Sequence, residues 1–196
     1  MKNTTYNTIQ FAYIHGFNSD KNSRSFLELQ KIYPTIRDCY YNYRQKAEFA
    51  HNEIENKLRV SLASNNQLVL IGSSLGGYFA LYFSHKYNLP AVVFNPVTFP
   101  EQQLAPFLGE NYNFYTNEKW NFTLEILNSY KNFPLSKKMY FPPRIIIGTN
   151  DKTIDPFITN DFWNKYANIL ITTEEHSISH YAQYKIYFEL TKKYFQ

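Results

Sequence analysis

Three side chains in this 196-residue sequence could together carry out nucleophilic acyl transfer: a serine, a carboxylate and a histidine, in that order along the chain. The serine is Ser74, at the centre of Gly72-Ser73-Ser74-Leu75-Gly76. The apolar run Leu68-Val69-Leu70-Ile71 precedes it, and the helix-compatible segment Leu75 to Tyr87 follows it. A strand turning sharply into a helix holds the residue at the apex in a strained conformation and lifts its hydroxyl above the sheet edge. Only the central residue is presented in this way, which sets Ser73 aside. A serine nucleophile needs a base, a carboxylate to orient that base, and N–H donors for the developing oxyanion.

Asp151 follows the strand-like run Arg144 to Ile147 and Gly148, and it is the preferred acid. Asp155 is its rival, although its place directly before Pro156 suits a helix cap. His176, in the loop after Ile169-Leu170-Ile171, is the preferred base, with His180 as the alternative. His51 and His85 fall inside predicted helices and are expected at a surface or boundary. The Leu75 N–H, at a helix start, and the Phe17 N–H, in His15-Gly16-Phe17 after the first strand, are the candidate oxyanion donors. His15 and Gly16 are supporting residues, since Gly16 allows the backbone to turn toward the nucleophile.

These residues must be positioned by a scaffold, and the pattern around them alternates. Strands are expected at Ile9–Ile14, Asp38–Tyr43, Leu68–Ile71, Ala91–Phe94, Arg144–Ile147 and Ile169–Ile171. Helices are expected from Ser25 to about Ile32, at Ala47–Ala63, at Leu75–Tyr87, at Phe157–Tyr166 and from about Tyr181 to Tyr194. Ser25 and Glu28 would form a capping box at the first helix, and Ala47, Ala50, Ile54, Leu58 and Leu62 make a helical stripe on the second. Strand–helix alternation implies an α/β fold with a mostly parallel central sheet and helices on both faces. In such a sheet the loops at the strands' carboxyl ends share one edge, where ligands bind.

The rhythm breaks between residues 97 and 142, with Pro100, Pro106, Pro134 and Pro142 and short helical pieces at Glu101–Leu108 and Thr123–Tyr130. This is longer than an ordinary connection, and we expect a lid or binding insertion within one domain, 1–196.

Composition narrows the rest. Aromatic residues reach 19%, with 18 Tyr and 17 Phe, which predicts an aromatic-rich core, and the aromatic segment Val97–Phe141 suggests an apolar acyl or aryl pocket. The net charge of +4 is scattered, with only Lys137-Lys138 and Lys192-Lys193 paired, so nucleic acid is not an expected partner. The lone Cys39 excludes an internal disulfide and is expected to be a buried structural thiol. The first seven residues have no apolar signal-peptide core and no run could span a bilayer, so a cytoplasmic location is expected. No metal site and no cofactor are expected, because the histidines lack ligand spacing and no phosphate-cradling loop is present.

With these residues assembled, the sequence resembles the YqiA/YcfP type of small bacterial α/β-hydrolase esterases over nearly its whole length. The resemblance is carried by Tyr13-Ile14-His15-Gly16-Phe17-Asn18-Ser19, by Ile71 to Tyr78, by Leu89 to Pro96 and by Leu108 to Thr116. It implies a Ser-Asp-His triad of Ser74, Asp151 and His176 acting on a small-molecule acyl ester or thioester. Two stretches depart from the family: Glu174-Glu175 replaces the glycines before the histidine, and Val97-Thr98-Phe99 replaces a basic residue after Asn-Pro. An acyl-CoA thioesterase would use the same triad, with Lys137-Lys138 facing the nucleotide phosphates. A non-catalytic binding protein on this fold is the third reading.

Overall fold

The computed structural model describes residues 9–63, 67–178 and 181–195. His180 and the first eight residues therefore lie outside the described part of the chain. Six strands form one sheet: β1 (Gln10–Ile14), β2 (Arg37–Asp38), β3 (Leu68–Ser73), β4 (Ala91–Phe94), β7 (Arg144–Gly148) and β8 (Asn168–Thr172). Their spatial order is β2-β1-β3-β4-β7-β8, and every neighbouring pair is parallel. The chain leaves β1 for β2 on one side and then crosses to β3 on the other. The direction of winding therefore changes between β1 and β3, and the loops that follow them, carrying Phe17 and Ser74, face each other.

Successive strand residues point to opposite faces, and each face has its own core. Ala12, Ile14, Leu68, Leu70, Val93, Ile145 and Ile147 face α2 (Ala47–Ala63), α3 (Leu75–Tyr87) and Trp163 of α6 (Pro156–Trp163). Phe11, Tyr13, Val69, Ile71, Val92, Phe94 and Ile146 face α1 (Arg24–Ile32) and α7 (Lys185–Lys192). All these strand residues are buried, and helices cover both sides of the sheet as the alternating pattern predicts.

Several expectations need correction. The first helix is capped by Ser23, whose Oγ accepts from the Phe26 N–H at 3.2 Å, while Ser25 Oγ accepts from the Tyr181 hydroxyl. The second strand is only Arg37–Asp38 rather than Asp38–Tyr43. β1 ends at Ile14, so Tyr41 N–H turns to the His15 ring instead of a strand partner. The closing helix is α-helical only between flanking 3-10 turns, Tyr181–Tyr184 and Lys193–Phe195.

The segment 97–142 is not simply helical. Between α4 (Pro100–Gln103) and α5 (Leu124–Ser129) lies an antiparallel hairpin, β5 (Gly109–Tyr112) and β6 (Lys119–Phe122). Its turn is organised by Asn113, whose Oδ1 accepts the N–H groups of Tyr115 and Thr116. The hairpin is fastened to the β1 loop: Asn18 Nδ2 donates to Asn111 Oδ1 at 3.0 Å, Asn18 Oδ1 accepts from Trp120 Nε1 at 2.7 Å, and Phe114 N–H donates to Asn18 O. Phe17 is packed into the same cluster, with ring centroids 5.0 Å from Phe122 and 5.3 Å from Trp120.

Candidate active site

Ser74 stands between β3 and α3 with φ 56° and ψ −126°, a backbone conformation that an L-residue keeps only when its surroundings enforce it. Here they do. Ser74 N–H donates to Phe94 O of β4, while Ser74 O accepts from Gly77 and Val97 N–H. Glycine is required on both sides because the turn leaves no room. A Cβ at Gly72 would lie 2.2 Å from Gly76 O, and one at Gly76 would lie 2.0 Å from Ile14 O. The strand–turn–helix geometry read from the sequence is therefore present, and Ser73 stays within β3.

Asp151 and His176 come together at the same edge. His176 Nδ1 lies 2.8 Å from Asp151 Oδ2, and the carboxylate is buried while the imidazole is partly exposed. Asp151 Oδ1 accepts the N–H groups of Thr153 (2.7 Å) and Ile154 (2.9 Å), which fixes the carboxylate plane. Asp155, the rival acid, is occupied otherwise: it is the N-cap of α6 and accepts from Phe157 N–H at 2.8 Å.

The loop bearing His176 is held by a residue not singled out for the site. Asn95, at the end of β4 with φ 43°, is 3% exposed. Its Nδ2 donates to Glu175 O (2.8 Å) and His176 O (3.1 Å), and its Oδ1 accepts from Gly148 N–H (2.7 Å). One side chain thus ties the ends of β4 and β7 to the histidine loop. Gly148 permits this proximity, since a Cβ there would lie 2.2 Å from Glu174 O. The available signal was an Asn after an apolar strand, a residue type that tolerates the left-handed region.

Leu75 is the first residue of α3, so its N–H has no partner within its helix. Among the described residues no acceptor takes the Leu75 or Phe17 N–H. His15 does not reach the site as a titrating group. It is fully buried, stacked on Tyr41 at 4.4 Å, with Nδ1 2.9 Å from Gly16 O as donor and Nε2 accepting the Tyr41 N–H. Burial lowers its pKa to about 4, so it braces the loop as a neutral ring.

His51 is not at a boundary, as its helical position suggested, but 3% exposed inside an aromatic box. Its ring stacks on Phe133 at 3.9 Å, and burial lowers its pKa to about 3. His85 is exposed, with Nδ1 beside Lys138 O. Cys39 is buried, and desolvation pushes its thiol up to about 12.

Two cavities meet at Ser74, and Phe17, Phe114, His176 and Ser177 line both. The larger, about 270 Å³, has apolar walls from Leu104, Phe107, Phe114 and Ile154. The smaller, about 70 Å³, includes Gly16 in its lining and lies toward α1. Among the described residues no lysine or arginine lines either one, and Lys137 instead sits over the Phe162 ring at 4.3 Å.

Comparison with known proteins places the chain in a family and a fold. The family model UPF0227, described as an uncharacterised protein family, matches residues 10–189. The chain belongs to the UPF0227 family. A UPF0227 protein of Enterobacter sp. strain 638 is 34% identical over 97 residues, and UPF0227 protein YcfP of Salmonella arizonae is 33% identical over 97 residues. Each match covers 47% of this chain and 53% of the relative, so the alignments span about half the length of these curated relatives.

Among solved structures, this UPF0227 protein is similar to Est1E from Butyrivibrio proteoclasticus, with a TM-score of 0.67 and 16% identity over 99% of this chain and 89% of that one. It is also similar to a structure of the metagenome-derived lipolytic enzymes LipS and LipT, with a TM-score of 0.72 and 13% identity over 94% of both chains. At such identities the likeness concerns the fold, which is that of the α/β hydrolases. Among the described residues, no helix is long and apolar enough to cross a membrane.

Proposed function

We propose that this UPF0227 protein is a serine hydrolase that cleaves carboxylic esters through Ser74, His176 and Asp151. The observation that carries the reading is the 2.8 Å His176–Asp151 pair, with His176 lining both cavities that Ser74 also lines and Ser74 in a strained elbow. In this mechanism Ser74 Oγ attacks the acyl carbonyl carbon and its proton passes to His176 Nε2. Asp151 fixes the imidazole tautomer and stabilises the imidazolium. The carbonyl oxygen becomes an oxyanion that the Phe17 and Leu75 N–H groups can bind. Collapse of this intermediate breaks the ester C–O bond, and His176 delivers its proton to the departing alkoxide. Water, deprotonated by His176, then attacks the acyl-enzyme and releases the acid and the serine.

The apolar walls of the larger cavity favour a short aliphatic or aryl acyl group over a polar one, because polar groups lose hydration there. Residues 97–142 supply Leu104, Phe107 and Phe114 to those walls, which supports a substrate-covering role for this insertion. Among the described residues no lysine or arginine lines either cavity, which favours a simple ester over a coenzyme A thioester, whose phosphates need cations.

The test is a panel of nitrophenyl esters together with a fluorophosphonate probe. Wild type is expected to hydrolyse short acyl esters and to be labelled at Ser74, and Ser74→Ala to do neither. Equal hydrolysis by the variant would remove the assignment, and a folded wild type that takes no label and cleaves no ester would favour a binding protein.

A further inference from the structure

The smaller cavity differs in chemistry from its neighbour. Ser19, Ser23, Ser25 and Ser73 line it, with Tyr13 and Tyr115 beside them, and among the described residues no Asp, Glu, Lys or Arg lines it. Ser19, Ser23 and Ser73 are buried, and Ser25 is half-buried. Part of this hydroxyl set is anchored: Ser23 Oγ accepts from Phe26 N–H, Ser25 Oγ accepts from Tyr181, and the Tyr115 hydroxyl accepts from Arg24 N–H at 3.0 Å. A hydroxyl offers one donor and two lone pairs, so each anchored oxygen retains hydrogen-bonding capacity.

Occupants can be separated by what these walls would cost them. An alkyl group would strip water from buried hydroxyls and give nothing back. A carboxylate, phosphate or ammonium group would enter without a counter-charge, which costs more still. A small neutral group with hydroxyls of its own replaces each lost water contact. The cavity's 70 Å³ is about the space of two or three waters, which limits such a group to a few heavy atoms.

Ser74, Phe17 and His176 line both cavities, so an ester carbonyl at Ser74 would send one arm into each. The apolar arm belongs among Leu104, Phe107 and Ile154, and the hydroxylated arm among the serines. Phe114, pinned by its N–H to Asn18 O and 70% exposed, lies between the two arms. We infer that the serine-lined cavity is the leaving-group site, and that the substrate is an ester of a short apolar acid with a small neutral polyol of glycerol size. This inference rests on the esterase reading above.

The experiment compares kcat/KM for three esters of one acid: glycerol monobutyrate, propyl butyrate and butyrylcholine. The glycerol ester is expected to exceed the propyl ester about tenfold or more, the factor for roughly one net hydrogen bond. Butyrylcholine, whose alcohol is cationic, is expected below both. Ser19→Val and Ser25→Val should bring the glycerol-to-propyl ratio toward one. The wild-type panel decides by itself should either variant fail to fold.

A wild-type ratio near one, with hydrolysis abolished by Ser74→Ala, would overturn the polyol inference and leave the esterase reading standing. A tenfold ratio unchanged in both folded variants would overturn the assignment to this cavity. Hydrolysis of none of the three esters, with no phosphonate label at Ser74, would overturn the esterase reading and this inference with it.

Discussion

His176 Nδ1 lies 2.8 Å from Asp151 Oδ2, while the other carboxylate oxygen is taken by the N–H groups of Thr153 and Ile154. The acid is therefore held on both sides, and the imidazole has one oxygen at which to donate. This arrangement leaves Nε2 as the basic nitrogen of a neutral ring.

Asp151→Asn puts this to the test. An amide can keep Oδ1 on the Thr153 and Ile154 N–H groups, but its NH₂ then faces His176 Nδ1 and favours the wrong tautomer. Ester hydrolysis is expected to fall on the order of 10³- to 10⁴-fold in kcat with the fold intact. Asp155→Ala is the control. It removes the α6 cap and should cost about 1 kcal/mol in denaturant titrations, with kcat changed little. Reversal of the two outcomes would assign the acid to Asp155.

Asn95 acts through the histidine loop, not on substrate, and two substitutions separate its parts. Asn95→Ala loses three hydrogen bonds and also strains a left-handed backbone position, by about 1 kcal/mol. Asn95→Gly loses the same bonds without that strain. Both are expected to lower kcat more than they raise KM, with glycine the more stable of the two. Unchanged kcat in a folded glycine variant would show that His176 needs no tether from β4.

How the site could be read in the sequence follows from what held each element. Leu75–Tyr87 and Ala47–Ala63 match their expected bounds because glycine packing at the elbow and an apolar stripe fix them. The β5–β6 hairpin lacks a strand pattern in sequence because its strands carry Glu110, Asn111, Lys119 and Asn121, and the only apolar residues alternating inward are Trp120 and Phe122. Its stability comes from contacts distant in sequence, such as Asn18 to Asn111 and Trp120. Asn95 shows in the sequence only as an Asn after an apolar strand, since its partners are backbone groups of the end of β7 and the histidine loop. With Ser23 in place of Ser25 as cap, α1 starts two residues earlier, at Arg24, and the partner that Ser25 takes, Tyr181, is 156 positions away.

His15 and His51 predict the acid limb of stability. Burial lowers their pKa values to about 4 and about 3, so above the ordinary histidine value both rings are neutral, folded or not. As pH falls below about 6.5 the unfolded chain takes up protons that the folded chain refuses, and stability is lost down to those lower values. His15 alone accounts for on the order of 3 kcal/mol between pH 7 and pH 4. His51→Phe, placed among Phe79, Phe83 and Phe133, removes one of the two groups. Denaturant titrations at pH 7.5 and 4.5 should show a smaller acid loss than wild type, and an identical loss would mean His51 titrates normally.

Phe107 tests whether residues 97–142 shape the substrate. Its ring is half-buried, 5.9 Å from Phe17, and forms part of the apolar wall of the larger cavity. Phe107→Ala removes that wall while leaving Ser74, Asp151 and His176 in place. The preferred acyl chain should lengthen, because each CH₂ that finds new apolar space contributes about 0.8 kcal/mol, or roughly fourfold in kcat/KM. The profile to measure is kcat/KM against acyl length for nitrophenyl esters from acetate to octanoate. A maximum at the same length in both proteins would mean the acyl group does not enter beneath the insertion.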